Sequence, residues 1–172
     1  MTVSGIICPA CGSPNLQGAD TCKECNQSLV GQSGEKAGVF DMPLHKVGVR
    51  KPECVERGTT VAEVLDRLKG RNVGCVLVVG DEGRLVGIFT ERDVLYRVAG
   101  LVEKTDELPV DSLMTPRPSA LASDASLGQL LHLMALHGLR HVPIVDAQQR
   151  PVGFVAYRDI LRFIEGLFDS AA

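Results

Sequence analysis

The chain has 172 residues, of which 45% are hydrophobic and 23% are charged, a composition typical of a folded globular protein and too apolar for an intrinsically disordered one. The formal net charge of −3 provides no general excess of Lys and Arg, so nucleic acid or an anionic membrane surface would need a local basic patch to bind. The longest uninterrupted apolar run, residues 76–79, is far shorter than the about 20 residues that cross a bilayer, which excludes an integral membrane protein.

The chain start and the cysteine spacing both indicate a reducing compartment. Residues 1–8 have no basic region and only a short apolar stretch, so they do not predict a secretory signal. Four of the six cysteines form two C-x-x-C pairs within 18 residues, a spacing typical of a metal site rather than of disulfides. We therefore expect a cytoplasmic protein.

The two cysteine pairs, Cys8 with Cys11 and Cys22 with Cys25, define a head domain over residues 1–28. Zinc takes four thiolates in a tetrahedron, and four protein ligands leave no open position, so the predicted role of the ion is structural. The arrangement resembles zinc ribbons and also the knuckles of rubredoxin, whose ion is iron; zinc is expected and iron is the alternative. A head this small should depend on the metal for its folding energy.

The head carries little charge that would attract phosphate. Between residues 1 and 28 the only basic side chain is Lys23, set against Asp20 and Glu24. This disfavours nucleic acid as a partner and favours a structural or protein-docking role. The glycine-rich stretch that follows, residues 29–43, is interpreted as a flexible linker that lets the head fold independently of the body and move relative to it.

The body contains an internal repeat with an offset of 66 residues. Between positions 84 and 95, six of the twelve residues are identical to those 66 positions later, namely Arg84, Val86, Gly87, Arg92, Asp93 and Leu95. In each copy, hydrophobic periodicity predicts a helix, two strands joined by a polar turn, and a closing helix. The first copy places them at residues 60–69, 76–79, 85–89 and 93–98, and the second at 126–137, 142–145, 152–155 and 159–167.

The first copy, G-C-V-L-V-V-G-D-E-G-R-L-V-G-I-F-T-E-R-D-V-L at residues 74–95, resembles the CBS domain. The second copy does so through L-M-T-P at 113–116, R-H-V-P-I-V-D at 140–146 and G-F-V-A-Y-R-D-I-L at 153–161. The resemblance implies an α+β body in which two CBS repeats, 44–108 and 109–172, pack as a pseudo-twofold pair called a Bateman module. It also implies adenosyl ligands in the clefts between the repeats and homodimers formed through the helices.

The predicted ligand anchor of the first repeat is Asp93. A carboxylate at a helix start can accept hydrogen bonds from both ribose hydroxyls. The same Thr90-x-x-Asp93 pattern also predicts a capping box, in which both side chains satisfy free helix N–H groups, and the two roles are compatible. In the second copy Asp159 remains, but Ala156 replaces the hydroxyl residue, so the Asp93 cleft is the better candidate.

Basic residues near the second repeat are candidates for binding phosphate. Arg140 and His141 precede its first strand, where related family members often place basic residues, and Arg92 and Arg158 are expected to assist. A solvated surface position is the alternative for each arginine, and a partly buried, satisfied side chain is the alternative for His141.

These observations favour a non-catalytic sensor of an adenine-type nucleotide, of the AMP, ATP, NAD or S-adenosylmethionine class, with a partner protein that the sequence does not identify. Two alternatives remain: a rubredoxin-like iron electron carrier, and a ribbon-led nucleic-acid or transcription accessory protein. An enzyme is disfavoured, because no residue spacing indicates a nucleophile and the repeats carry no attached catalytic domain.

Overall fold

The computed structural model describes residues 5–16, 19–29, 38–100 and 104–169. These residues form a small head and an α+β body of two repeats, as the sequence predicts. Within the described ranges, no helix combines the length and the apolar character that traversing a lipid bilayer requires.

The head is built on a two-stranded antiparallel sheet. Strand β1 (Ile6–Ile7) pairs with β2 (Pro14–Asn15). The second cysteine loop is closed by a bridge between Thr21 and Ser28. Among the described residues of the head, the buried hydrophobic side chains form one small cluster, and half of them are thiols: Cys8, Ala10, Cys22 and Leu29.

Repeat 1 is a four-stranded sheet covered by helices on one face. Its strands lie in the order β3-β4-β5-β6, with β3 parallel to β4 and the other neighbours antiparallel. The elements are β3 (Cys54–Glu56), α1 (Val61–Arg71), β4 (Cys75–Val79), β5 (Leu85–Thr90), the single turn α2 (Glu91–Asp93), which continues as a π-helical turn (Val94–Val98), and β6 (Thr115–Pro116).

Repeat 2 reproduces the first three of these strands and their order with the same offset of 66 residues, in a three-stranded sheet. It consists of β7 (Leu121–Ala122), α3 (Leu127–His137), β8 (His141–Val145), β9 (Pro151–Ala156) and α4 (Tyr157–Asp169). Cys75 pairs with Thr90 in repeat 1, and His141 pairs with Ala156 in repeat 2. The predicted helices and strands are confirmed, and the structure adds a short strand, β3 or β7, before the first helix of each repeat. These strands have only three and two residues, too few to show an alternating pattern.

The first helices of the two repeats begin and end with local signals. Thr60 caps α1 by accepting a hydrogen bond from the backbone N–H of Glu63 at 3.3 Å, and Asn72 ends it in the left-handed conformation. In α3, Ser126 and Gln129 form a reciprocal capping box, and Gly138 ends the helix. These signals fix where each helix lies against its sheet.

Each repeat completes its core with the N-terminal segment of the other repeat. Leu44 and Val47, at the start of repeat 1, are buried in the core of repeat 2, and the backbone N–H of Leu44 bonds to the carbonyl of Ala125 at 3.2 Å. Val110 and Met114, at the start of repeat 2, are buried in the core of repeat 1. The two segments are therefore exchanged.

The outer faces of the two sheets pack against each other. Cys75, Leu77 and Ile88 from repeat 1 form one buried cluster with Phe154 and Ala156 from repeat 2. Because side chains alternate along a strand, the intervening residues of β4 face the helices of repeat 1 instead. This contact places the starts of β4 and β8 close together.

The structure shows contacts at both ends of the predicted linker, residues 29–43. Leu29 is buried in the head, and the 3₁₀ turn Val39–Asp41 contacts α3; the part between them, residues 30–37, lies outside the described ranges. The head itself contacts the body, since the Ser126 hydroxyl donates to the carbonyl of Pro9 at 3.1 Å. Glycine content alone could not reveal these contacts, because they join residues far apart in sequence.

Gly128 on α3 permits the close approach of the head. A Cβ atom at this position would lie 2.8 Å from the carbonyl oxygen of Pro9 and 3.1 Å from that of Phe40. Both neighbours are backbone atoms, which cannot rotate away. The head therefore fits α3 only because this residue has no side chain.

We expect Gly128→Ala to destabilise the protein by about 1–3 kcal/mol, because the added methyl group forces the head away from α3. Gly70→Ala in α1 is the control, since no atom lies within 4 Å of its Cβ position and alanine favours a helix by about 0.5–1 kcal/mol. Urea unfolding measures both free energies. Equal effects of the two substitutions would contradict the docking described here.

Candidate functional site

The four cysteines of the head converge on one point. Their Sγ atoms all lie within 4.8 Å of one another, and the Cys8–Cys25 and Cys11–Cys22 separations are both 3.6 Å. A disulfide requires about 2.05 Å, so the thiols are free. Tetrahedral Zn–S bonds of about 2.3 Å place sulfur atoms about 3.8 Å apart. The donor set therefore fits a metal ion.

Each C-x-x-C turn is closed by the residue after its second cysteine. The backbone N–H of Gly12 bonds to the carbonyl of Cys8 at 2.8 Å, and that of Asn26 bonds to the carbonyl of Cys22 at 2.9 Å. Gly12 and Asn26 have φ values of +74° and +59°, a region that glycine and asparagine tolerate best. The tight backbone predicted after each pair is present.

Backbone N–H groups favour a thiolate at Cys22. Burial opposes the loss of its proton, but hydrogen bonds from the backbone of Cys25 and Glu24 and from the Asn15 side chain lower its pKa to about 6. Burial raises the pKa of Cys25 to about 12. Thiolates are the metal-binding form, so a metal ion would displace the remaining protons on binding.

Asp93 is buried and is the third residue of α2, three positions after the N-cap residue Thr90. Its Oδ2 accepts hydrogen bonds from the backbone N–H of Thr90 at 2.9 Å and from the Thr90 hydroxyl at 2.8 Å. Within the described residues, its Oδ1 has two longer contacts, both 3.4 Å, with the Thr115 hydroxyl and the Arg97 guanidinium. The capping role predicted for Asp93 is thus present, and one carboxylate oxygen retains capacity to accept.

Asp159 occupies the equivalent position at the start of α4 and is equally buried. Its Oδ2 accepts from the backbone N–H of Ala156 at 3.0 Å, where the hydroxyl contact is missing as predicted. Both of its oxygens also accept from the guanidinium of Arg50, whose Nε lies at 2.8 and 2.9 Å. Sequence reasoning missed Arg50, because it lies 109 residues from Asp159 and no local motif marks it.

His141 lies at the contact between the two repeats. Its Nε2 would be 2.5 Å from a Cβ atom at Gly74, and its ring centroid is 6.2 Å from that of Phe154. Burial lowers the pKa of His141 below its ordinary value of 6.5, and the nearby Arg50 acts in the same direction, while Glu91 opposes them. The imidazole is therefore neutral at pH 7.

The remaining predicted phosphate ligands are exposed arginines. Arg92 and Arg158 stand on the first turns of their helices, and Arg140 stands immediately before β8. Among the described residues, none forms an ion pair with these three side chains. Their role in phosphate binding stays a prediction.

A separate cavity of about 210 Å³ lies between the head and α3. Its walls include Pro9 and Ala10 from the head, Phe40, and Leu131 from α3. Neither aspartate lines it, so it is distinct from the predicted clefts.

Comparison with known proteins concerns mainly the body. The CBS domain model matches residues 45–100 and 110–166. The chain is 30% identical over 119 residues to the uncharacterized 17.7 kDa protein in the bps2 3′ region of Acidianus ambivalens, covering 69% of this chain and 71% of the relative. It is 36% identical over 101 residues to the uncharacterized protein YlbB of Bacillus subtilis, covering 58% and 67%.

Solved structures show the same body fold. An uncharacterized conserved protein from Pyrococcus horikoshii aligns with a TM-score of 0.62 and 30% identity, covering 71% of this chain and 91% of the other. The CBS domain pair of protein MJ0100, solved in complex with 5′-methylthioadenosine and S-adenosyl-L-methionine, aligns with a TM-score of 0.65 and 23% identity, covering 73% and 98%.

Proposed function

Because this chain belongs to the CBS domain family, we propose that it is a non-catalytic sensor that binds an adenine-type nucleotide in the clefts between its repeats. The observation that carries the proposal is the pair of buried aspartates, Asp93 and Asp159, at repeat-equivalent helix starts. Buried carboxylates are costly to desolvate, so two at equivalent positions favour a shared function.

The ligand class is supported by chemistry and by similarity. Asp93 Oδ1 has only 3.4 Å contacts, which leaves a strong acceptor for a ribose hydroxyl. The CBS pair of MJ0100 was solved with two ligands that both carry an adenosyl group. The proposed contacts for this chain are Thr90 and Asp93 to the ribose in one cleft and Asp159 in the other. Arg92, Arg140, His141 and Arg158 are the proposed contacts to ligand phosphates.

The head is proposed to bind zinc through Cys8, Cys11, Cys22 and Cys25 and to serve as a docking module for a partner protein. Four thiolates close the coordination sphere, so the ion would hold the two knuckles together rather than activate water. Iron in the same site would instead support the electron-carrier alternative, and it would colour the purified protein.

We further propose a cytoplasmic homodimer formed through the helices of the repeats, several of which expose large apolar side chains, among them Leu161 and Phe168.

The ligand proposal is tested by melting the protein with AMP, ATP, NAD or S-adenosylmethionine at 1 mM. A true ligand present at 100 times its Kd should stabilise the protein by about 2.7 kcal/mol. Asp93→Ala should reduce this stabilisation to the part contributed by the Asp159 cleft, and it should also lower the unliganded stability by about 1 kcal/mol through loss of the cap.

Thr60→Ala is the matched control for the cap. It removes a helix-capping side chain from α1, outside the proposed clefts, so the unliganded protein should melt lower while the ligand-induced shift persists. A folded wild-type protein that responds to none of the four compounds would contradict the proposed function. If the ligand-induced melting shift is undiminished in Asp93→Ala, then Asp93 acts only as a helix cap.

A further inference from the structure

The two repeat-equivalent aspartates differ in how fully their oxygens are used. Asp159 has short hydrogen bonds to both oxygens, from the Nε and Nη2 of Arg50 and from the backbone N–H of Ala156. A carboxylate has about four acceptor sites, and these four contacts occupy them. Asp93 Oδ1 has only contacts of 3.4 Å. A ribose can therefore approach Asp93 directly but must displace Arg50 to reach Asp159.

Arg50 is held at this position by the backbone. Its N–H donates to the carbonyl of Phe154 at 2.9 Å and its carbonyl accepts from the N–H of Phe154 at 3.1 Å, as in an antiparallel bridge. Its side chain is 35% exposed, whereas that of Asp159 is 6% exposed. The guanidinium therefore covers the carboxylate on the solvent side.

Displacing Arg50 from Asp159 separates two charges, and the ligand must compensate both. Ribose hydroxyls can donate to Asp159, but they offer the guanidinium no negative charge. A phosphate offers that negative charge, and it pairs with arginine through parallel, charge-assisted hydrogen bonds. His141, which also lies in this region, is neutral at pH 7 and does not substitute for the arginine.

The geometry points to a selective role for Arg50: it closes the Asp159 cleft in the free protein and moves onto the phosphate of a bound nucleotide. The Asp159 cleft consequently takes phosphate-bearing adenine nucleotides and discriminates against uncharged adenine nucleosides. This inference rests on the proposed nucleotide binding and adds the ligand class of one cleft and the residue that determines it.

The test uses the full chain with Asp93→Asn, which weakens the first cleft while retaining a capping side chain. Isothermal titration with AMP and with adenosine measures the preference of the Asp159 cleft for phosphate. With Arg50 present we expect AMP to bind at least about tenfold more tightly than adenosine, and with Arg50→Gln the ratio should fall by at least about threefold, the remainder being due to the proposed phosphate contacts Arg140 and Arg158. Adenosine should bind more tightly to the Arg50→Gln variant than to its parent, because it no longer competes with the guanidinium.

Two further variants serve as controls. Lys51→Gln removes the same charge from the neighbouring residue, outside the Asp159 contacts, and should leave the ratio unchanged. Arg50→Lys keeps the charge and should retain a preference for AMP above that of Arg50→Gln. If both compounds bind and Arg50→Gln leaves the ratio of the AMP and adenosine affinities unchanged, the proposed role of Arg50 is wrong, while the proposed nucleotide binding stands. If folded wild-type protein bound neither compound, this inference would fail, whereas the proposed function would fail only if ATP, NAD and S-adenosylmethionine also left the melting temperature unchanged.

Discussion

Replacing Cys22 with serine is expected to abolish tight metal binding by the head and to unfold residues 5–29 while the two repeats stay folded. The hydrophobic cluster of the described part of the head has four buried residues, two of them cysteines of the proposed metal site, so apolar burial contributes little to its stability. Structural zinc contributes about 10–16 kcal/mol of apparent binding free energy in small zinc domains at neutral pH. Elemental analysis of the purified protein measures the loss of metal, and limited proteolysis measures the unfolding.

Cys54→Ser is the matched control, because Cys54 lies in β3 outside the metal-binding cluster. It should retain one metal ion per chain and a protected head. The visible spectrum of the same samples separates zinc, which gives no colour, from iron. Full metal content in the Cys22→Ser variant would contradict the four-cysteine site.

Phe154→Ala is expected to lower the free energy of unfolding by about 3–5 kcal/mol, the usual cost of removing a buried phenylalanine ring. The ring is 1% exposed and lies where the two sheets meet, so its removal leaves a cavity between the repeats. Val152→Ala removes methyl groups from a β9 side chain that is 47% exposed and lies outside the helices of the proposed dimer, and it should change stability by about 0.5 kcal/mol or less. Urea unfolding at constant protein concentration compares the two variants, and similar losses would show that Phe154 does not join the repeats.

The elements of each repeat could be predicted because their signals are local and occur twice. Apolar spacing marks α1 and α3, and the identities between positions 84 and 95 and their counterparts fix the offset of 66 residues that the strand registers then reproduce. The C-x-x-C spacing likewise predicts four thiols around one point.

The contacts that the sequence did not reveal join distant residues through single side chains or carbonyls. Arg50 and Asp159 are 109 residues apart, and Pro9 and Ser126 are 117 residues apart. No periodicity links such pairs, and an isolated arginine or glycine is compatible with many surface positions. The docking of the head on α3 and the Arg50–Asp159 contact therefore could not be predicted from the sequence.

The exchange of segments between the repeats makes the body indivisible. Val110, at the start of repeat 2, packs into repeat 1, and Leu44, at the start of repeat 1, packs into repeat 2. A chain cut between the two copies would give two fragments, each lacking a segment of its own core and carrying a segment that packs into the core of the other. The two copies can differ in what they bind, but we expect neither to fold when it is excised or transplanted alone.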